Sequence, residues 1–377
     1  MNTSTLCRSL TAIPLLLLLP AFGCGDDGGS NIYDSSNQTG MTVGNEVGED
    51  EADDGATEED DDDDDADDGM TKLDTLGEDE GQASADDGSL GNGCQKVDFL
   101  FVIDNSGSMF EEQDNLAGSF PSFINSISAT LDEAQDYHVM VIDTDAWVHG
   151  DCEILCGFPI PVPGLCEGYE CGVTQPEECE DVLGAGVTHP KGAQASNVDC
   201  NFANGLRFMT DAEPNLPATF QCAARVGTGS SQSPEKPMEA MVAALSSNGP
   251  VNECNQGFLR DDAILVVTFI TDEDDDADDG SAGTVDGWRA ALIAAKGGDA
   301  SSIVVLGLFG DGDQPNPICG TFGDNSGAET SPRLRQFIDS WGDQGFFGSI
   351  CADDYDEFFQ DAVDIIDTTC DEFTPPE

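Results

Sequence analysis

Apolar positions along this chain fall into short unbroken runs and helical stripes, set apart by long polar stretches. Residues 97–103, VDFLFVI, hold six apolar residues in seven, with Phe, Val and Ile among them and no alternation. Such a run reads as a strand buried on both faces of a parallel sheet. Leu116, Phe120, Phe123, Ile124, Ile127 and Leu131 follow at i, i+4, i+7 spacing, which marks a helix packed on that sheet. Pro121 falls inside the stripe, so the regular helix is expected from near Ser119, with Pro121 in its first turn and a looser turn over 109–118 before it. A second apolar run at 137–142 completes strand, helix, strand, the opening of a sheet with right-handed crossovers.

Between 143 and 222 the periodicity lapses, and only the short apolar piece 206–209 offers an edge strand. It resumes with a helix over 234–245, carried by Met238, Met241, Val242 and Leu245, and a strand over 263–270. A helix at 285–295, a strand at 302–309, a helix at 332–341 and a short strand at 346–350 continue the alternation. A last helix at 355–366 buries Phe358, Phe359, Ala362 and Ile366. The pattern predicts an α/β fold, a doubly wound, mostly parallel sheet flanked by helices, interrupted by an insertion at 143–222.

Composition removes the first quarter of the 377 residues from this fold. Residues 1–23 read as an export signal, with Arg8 ahead of an apolar core at 13–19. That core is too short to span a bilayer permanently. The junction Ala21, Phe22, Gly23, Cys24 resembles a bacterial lipobox, in which the cysteine is lipidated, although Ala21 stands where Leu is usual. Cys24 is therefore the expected lipid anchor in a bacterial cell envelope, with plain secretion as the alternative. Residues 24–92 contain 25 acids and one base, Lys72, including an unbroken acidic run over 58–65. Such a segment lacks the apolar surface to offset its ordering entropy and reads as an extended tether, reaching at most roughly 220–240 Å. Calcium binding by the run is the other reading, but its acids lack the D-x-D-x-D-G spacing that wraps a chain around one ion.

The formal net charge of −64 is not confined to the tether, because residues 93–377 hold 51 acids against 10 bases. That balance repels nucleic-acid phosphates and anionic lipid, and excludes both as partners. The remaining membrane link is the anchor on Cys24. Twelve of the 14 cysteines lie from Cys94 onward. An even number in an exported chain reads as a disulfide set of up to six bonds. No C-x-x-C occurs. Zinc through the Cys152, Cys156 and Cys166, Cys171 spacings with His149 or His189 is the competing use.

The candidate chemistry lies where the apolar runs end. Asp104, Ser106 and Ser108 form D-x-S-x-S directly after the first strand, and Thr271, Asp272, Glu273 and Asp274 close the strand at 263–270. In open α/β sheets ligands gather at those carboxyl ends. Asp104, Asp272, the two serine hydroxyls and one hydroxyl of the loop around Thr228 make an incomplete oxygen set for Mg²⁺, or for Mn²⁺ or Ca²⁺. The competing reading is that Asp104, Ser106 and Ser108 only cap the turn into the next helix.

The constellation FVIDNSGSM, a middle-loop Thr, and FITDEDD resembles the von Willebrand factor type A (VWA) family and its metal-ion-dependent adhesion site (MIDAS). The resemblance spans 96 to about 370 apart from the insertion, and implies a Rossmann-like domain over 93–370 with a tail at 371–377. It implies metal ligation by Asp104, Ser106, Ser108, Asp272 and Thr228, with Ser230 as rival for the middle position. The acid run after Asp272 departs from the family's aspartate-glycine turn and leaves room for more than one ion. The resemblance also implies a bond between Cys94 and Cys370; Cys319 with Cys351 is a further candidate, and one of the seven insertion cysteines would then pair with Cys254.

No nucleophile motif such as G-x-S-x-G occurs, and His138, His149 and His189 fall away from the strand ends bearing the aspartates. Asp143 and Asp145 form D-x-D, but after the second strand and with no Lys placed beside them. The expectation is a non-enzymatic adhesion module that binds a protein ligand presenting an acidic side chain. The alternative is a structural or scaffolding envelope lipoprotein whose metal site only stabilises it.

Overall fold

In a computed structural model the described residues are 94–130, 136–144, 178–191, 194–228, 235–278, 280–321 and 327–376. The export signal, Cys24, the acidic tether, residues 145–177 with their four cysteines, and Ser230 lie outside them.

Six strands form one mixed, mostly parallel sheet. β1 (Lys96–Ile103), β2 (Asp136–Asp143), β4 (Ile264–Ile270), β5 (Ile303–Phe309) and β8 (Gly345–Ser349) are parallel, and β3 (Met209–Thr210) lies antiparallel against β2 at one edge. The order is β3-β2-β1-β4-β5-β8, so the direction of strand addition reverses between β1 and β4. Two-residue strands β6 (Gly320–Thr321) and β7 (Gly327–Ala328) pair separately.

The unbroken apolar runs follow from helices on both faces. Val97, Phe99, Phe101 and Ile103 of β1 share a core with α1 (Phe110–Thr130), α2 (Leu216–Ala224) and α7 (Asp356–Glu372). Leu100 and Val102 enter the other core, with α3 (Pro237–Ala244), α5 (Val285–Ala295) and α6 (Pro332–Asp339). A short α4 (Pro250–Cys254) precedes β4.

α1 corrects the expected late start near Ser119, since it is helical from Phe110 and carries Pro121 in its interior. An interior proline frees the carbonyl of residue i−4. Here that carbonyl, on Ala117, accepts a 2.9 Å hydrogen bond from Gln221 Nε2 of α2. The helix therefore continues because a neighbour supplies the missing donor. The irregular pattern before Cys222 did not predict α2, yet its Phe220 ring stacks on Phe120 with centroids 3.5 Å apart. The edge strand falls at Met209–Thr210, slightly beyond the apolar piece 206–209.

Four disulfides are formed among the described residues. Cys94–Cys370 and Cys319–Cys351 match the expected pairs, and Cys254 joins Cys179. Cys200–Cys222 ties the loop before α2 to the helix itself.

Candidate functional site

β1 and β4 are neighbours in parallel register, with Ile103 opposite Ile270. Their next residues, Asp104 and Thr271, therefore emerge side by side at the carboxyl end of the sheet. This is the point at which the strand order reverses, where two adjacent loops part and leave a crevice. Asp104 N donates to Ile270 O at 2.9 Å, which carries the register one step past the strands.

Asp104 is fully buried. Its Oδ1 accepts from Ser106 N and its Oδ2 from Thr271 Oγ1, each at 2.6 Å. These bonds orient the carboxylate, and the first is also the turn-capping contact foreseen as the alternative for this motif. Ser106 and Ser108 hold their hydroxyls 3.4 Å apart. Both hydroxyls favour the ionised form of Asp272, partly offsetting its burial. Asp272 is 2% exposed, and its Oδ1 is buried with no hydrogen-bond partner. Burial raises the affinity of both aspartates for a proton, and Asp272 adds to the effect on Asp104. Four of the five expected ligands, Asp104, Ser106, Ser108 and Asp272, are thus brought together.

Thr228 is treated differently. Its loop is stitched to the Asp104 turn by the buried Gln113, whose Nε2 donates to Asp104 O at 2.9 Å and to Gly227 O at 2.8 Å. Gly227 N donates back to Gln113 Oε1 at 3.1 Å. The Thr228 hydroxyl itself donates to Gln194 Oε1 at 2.5 Å. The backbone of the middle loop is beside the site while this hydroxyl is engaged elsewhere.

The acid run after Asp272 has a structural use. Asp274 accepts from the amides of Arg333 and Leu334 at the start of α6, each at 3.3 Å. Asp275, fully buried, accepts from Met238 N at the start of α3 and from Ser281 N, and meets Arg333. Carboxylates are favoured at helix N-termini, where amides lack partners. Asp274 and Asp275 therefore use their oxygens inside the fold, at the starts of α6 and α3.

Sequence reasoning passed over three residues. Glu112, in the first turn of α1, has a buried Oε2 without a hydrogen-bond partner, and its carboxyl is pushed up to about 7 by burial, with Asp272 and Glu111 adding to the shift. The sequence hides it, because the pattern over 109–118 predicts a loose turn rather than a helix start. Gln113 carries no chemistry that a motif would flag. Glu329 comes from β7's far side, where Glu329 N donates to Asp272 O and Glu329 Oε2 accepts from Asp274 N. Gly310 permits this approach, since a Cβ there would lie 1.7 Å from Glu329 O.

Among the described residues, no group of three or more His, Cys, Asp or Glu is spaced to hold a metal ion by those residues alone. The donor set around Asp272 is instead mixed, with two carboxylates and two hydroxyls. His138 is committed to β2, where its ring contacts Phe258 O at 2.7 Å. No protein-family model and no curated protein matches this chain. No helix among the described residues is long and apolar enough to cross a membrane.

Proposed function

We propose that this chain is a VWA-type, Rossmann-like binding module that holds a divalent cation at Asp104, Asp272, Ser106 and Ser108 and captures a protein ligand through an acidic side chain. The observation that carries the reading is Asp272: a carboxylate oxygen buried without a partner, facing two serine hydroxyls and a second buried aspartate. Two buried carboxylates repel each other, and one oxygen of Asp272 lacks a hydrogen bond; a cation answers both deficits. With two hydroxyls and two carboxylates, the chain leaves coordination positions open, and a cation such as Mg²⁺ supplies there a charge able to accept an external carboxylate oxygen. The strand order and its reversal beside Asp104 support the family resemblance of the sequence.

The module is non-enzymatic in this reading, displayed from a bacterial envelope by a lipid on Cys24 and the acidic tether. Mass spectrometry of the mature N-terminus tests the anchor: acylated Cys24 is expected, and a free N-terminus rejects it. For the site, Mg²⁺ raises the melting temperature of the wild-type chain relative to EDTA, and Asp104→Ala removes that difference. A wild-type chain that melts identically in Mg²⁺ and EDTA overturns the proposal.

A further inference from the structure

A cavity of about 680 Å³ lies between α3 and α5, on the face of the sheet opposite α1. Phe258, Leu259 and Asp261 line it just ahead of β4, so it sits toward the amino end of that strand, whereas Asp104 and Asp272 lie at the carboxyl end of the sheet. Folded interiors leave few voids much larger than a water molecule, and cavities of this size are those that take small organic ligands. α3 buries Met238 and Met241 in the core and turns its next face, Glu239, Val242 and Ala243, along the cavity. α5 buries Trp288 and presents Ala291, Ala294 and Ala295. With alanine at these facing positions neither helix has the bulk to fill the space, and its walls are apolar.

The charge of the cavity is of one sign. Glu239 and Asp261 line it, and no Lys, Arg or His does. The two bases adjacent in sequence to its lining face inward: Arg260 holds Asp98 and Asp136, and Lys296 Nζ donates to Arg260 O and Ala263 O. α3 and α5 also end here, at Ala244 and Ala295, and the carboxyl end of a helix carries partial negative charge. Ser246, Ser247, Asn248 and Asn252 add side-chain oxygens of the kind that accept from an ammonium group. We propose that this cavity is a second binding site, independent of the cation crevice, for a small organic amine, its alkyl body against the apolar walls and its ammonium group at Glu239 and Asp261. An anion meets only repulsion there, and a neutral hydrocarbon uses the walls but not the acids. A second copy of this chain brings the wrong charge, with 51 acids against 10 bases over residues 93–377.

The test uses the full chain at about 0.15 M salt, which screens distant surface charge, with butyl-, hexyl- and octylammonium as probes read by calorimetry. Affinity is expected to rise about two- to fourfold for each added methylene, as apolar burial dictates, and the ammonium ion alone to show none at the same concentration. Ala294→Trp, at an exposed wall position, fills the cavity and is expected to weaken octylammonium about tenfold, the equivalent of two to three buried methylenes. Glu239→Gln with Asp261→Asn is expected to weaken it about three- to tenfold and to leave the uncharged 1-octanol unchanged. Glu253→Gln, an exposed acid outside the lining, is expected to change affinity less than about twofold. Affinity independent of chain length, or an equal loss in Glu253→Gln, overturns the proposal, since binding would then follow general charge. Unaltered octylammonium binding in Ala294→Trp or in the double variant also overturns it. Melting checks that each variant folds, and Ala291→Leu provides a smaller filling of the same wall. Asp104→Ala is expected to bind octylammonium as the wild-type chain does, so this site stands or falls separately from the cation reading.

Discussion

Asp98 interrupts the apolar run of β1 and is completely buried. Arg260 answers it, with its backbone N and Nε donating to the two carboxylate oxygens at 2.7 and 2.8 Å. Lys296 Nζ in turn donates to Arg260 O and Ala263 O, tying the start of β4 to the end of α5. Burial still outweighs Arg260 and pushes the Asp98 carboxyl up to about 6. The native state therefore holds this proton more tightly than the unfolded chain, in which it leaves near pH 4. Stability linked to Asp98 is accordingly greatest below about pH 4, falls as pH rises towards 6, and is level above that. Urea midpoints of wild type and Asp98→Asn across pH 4 to 7 should show wild type losing ground over that window. Arg260→Ala strands the buried charge and is expected to cost roughly 3–5 kcal/mol at pH 7 in the same assay.

Among the elements, α1 depends most on a neighbour. Its interior Pro121 leaves the Ala117 carbonyl to Gln221, and Phe120 of the same turn stacks on Phe220. α1 and α2 are thus joined by a polar contact and a ring contact side by side. Gln221→Leu removes the donor and should cost about 1–3 kcal/mol in chemical denaturation, because the half-buried carbonyl loses its partner. In a Pro121→Ala background the same change should cost clearly less, since the restored amide can close the helical bond itself. Equal costs in the two backgrounds would mean that the Gln221 contact is incidental. The link also bears on the site, because Gln113 joins α1 to Gly227 in the chain just after α2.

For the whole molecule, Cys94–Cys370 joins residues 276 apart, just before β1 and near the end of α7. Closing so long a loop restricts the unfolded chain strongly, and loss of a native disulfide typically costs roughly 2–5 kcal/mol. Replacing both cysteines by serine should lower stability by an amount in that range, measured by urea unfolding under oxidising conditions. The site crevice is assembled by β1, β4 and α1, which this bond encloses without touching. Loss of the bond is therefore expected to lower stability while leaving Mn²⁺ affinity at temperatures well below unfolding unchanged.

The amino-acid order alone determined the parallel strands and most of the helices, because a run such as VDFLFVI has no stable place except between two covered faces. It also placed Asp104, Ser106 and Ser108 in one turn, since contacts two residues apart are local. The pairing of Cys94 with Cys370 came with the family resemblance. Tertiary structure decided what depends on distant partners. Pro121 sits mid-helix because Gln221 reaches its orphan carbonyl, and α2 forms because Phe220 has Phe120 to stack on. Asp274 and Asp275 turn inward because helix N-termini await them. Thr228 meets Gln194, and Glu112, unremarkable in the sequence, has a buried carboxylate oxygen without a hydrogen-bond partner. The division has a physical cause: burial and local turns are written in neighbouring residues, whereas a polar atom's partner depends on which strand ends and helix starts the fold sets next to it.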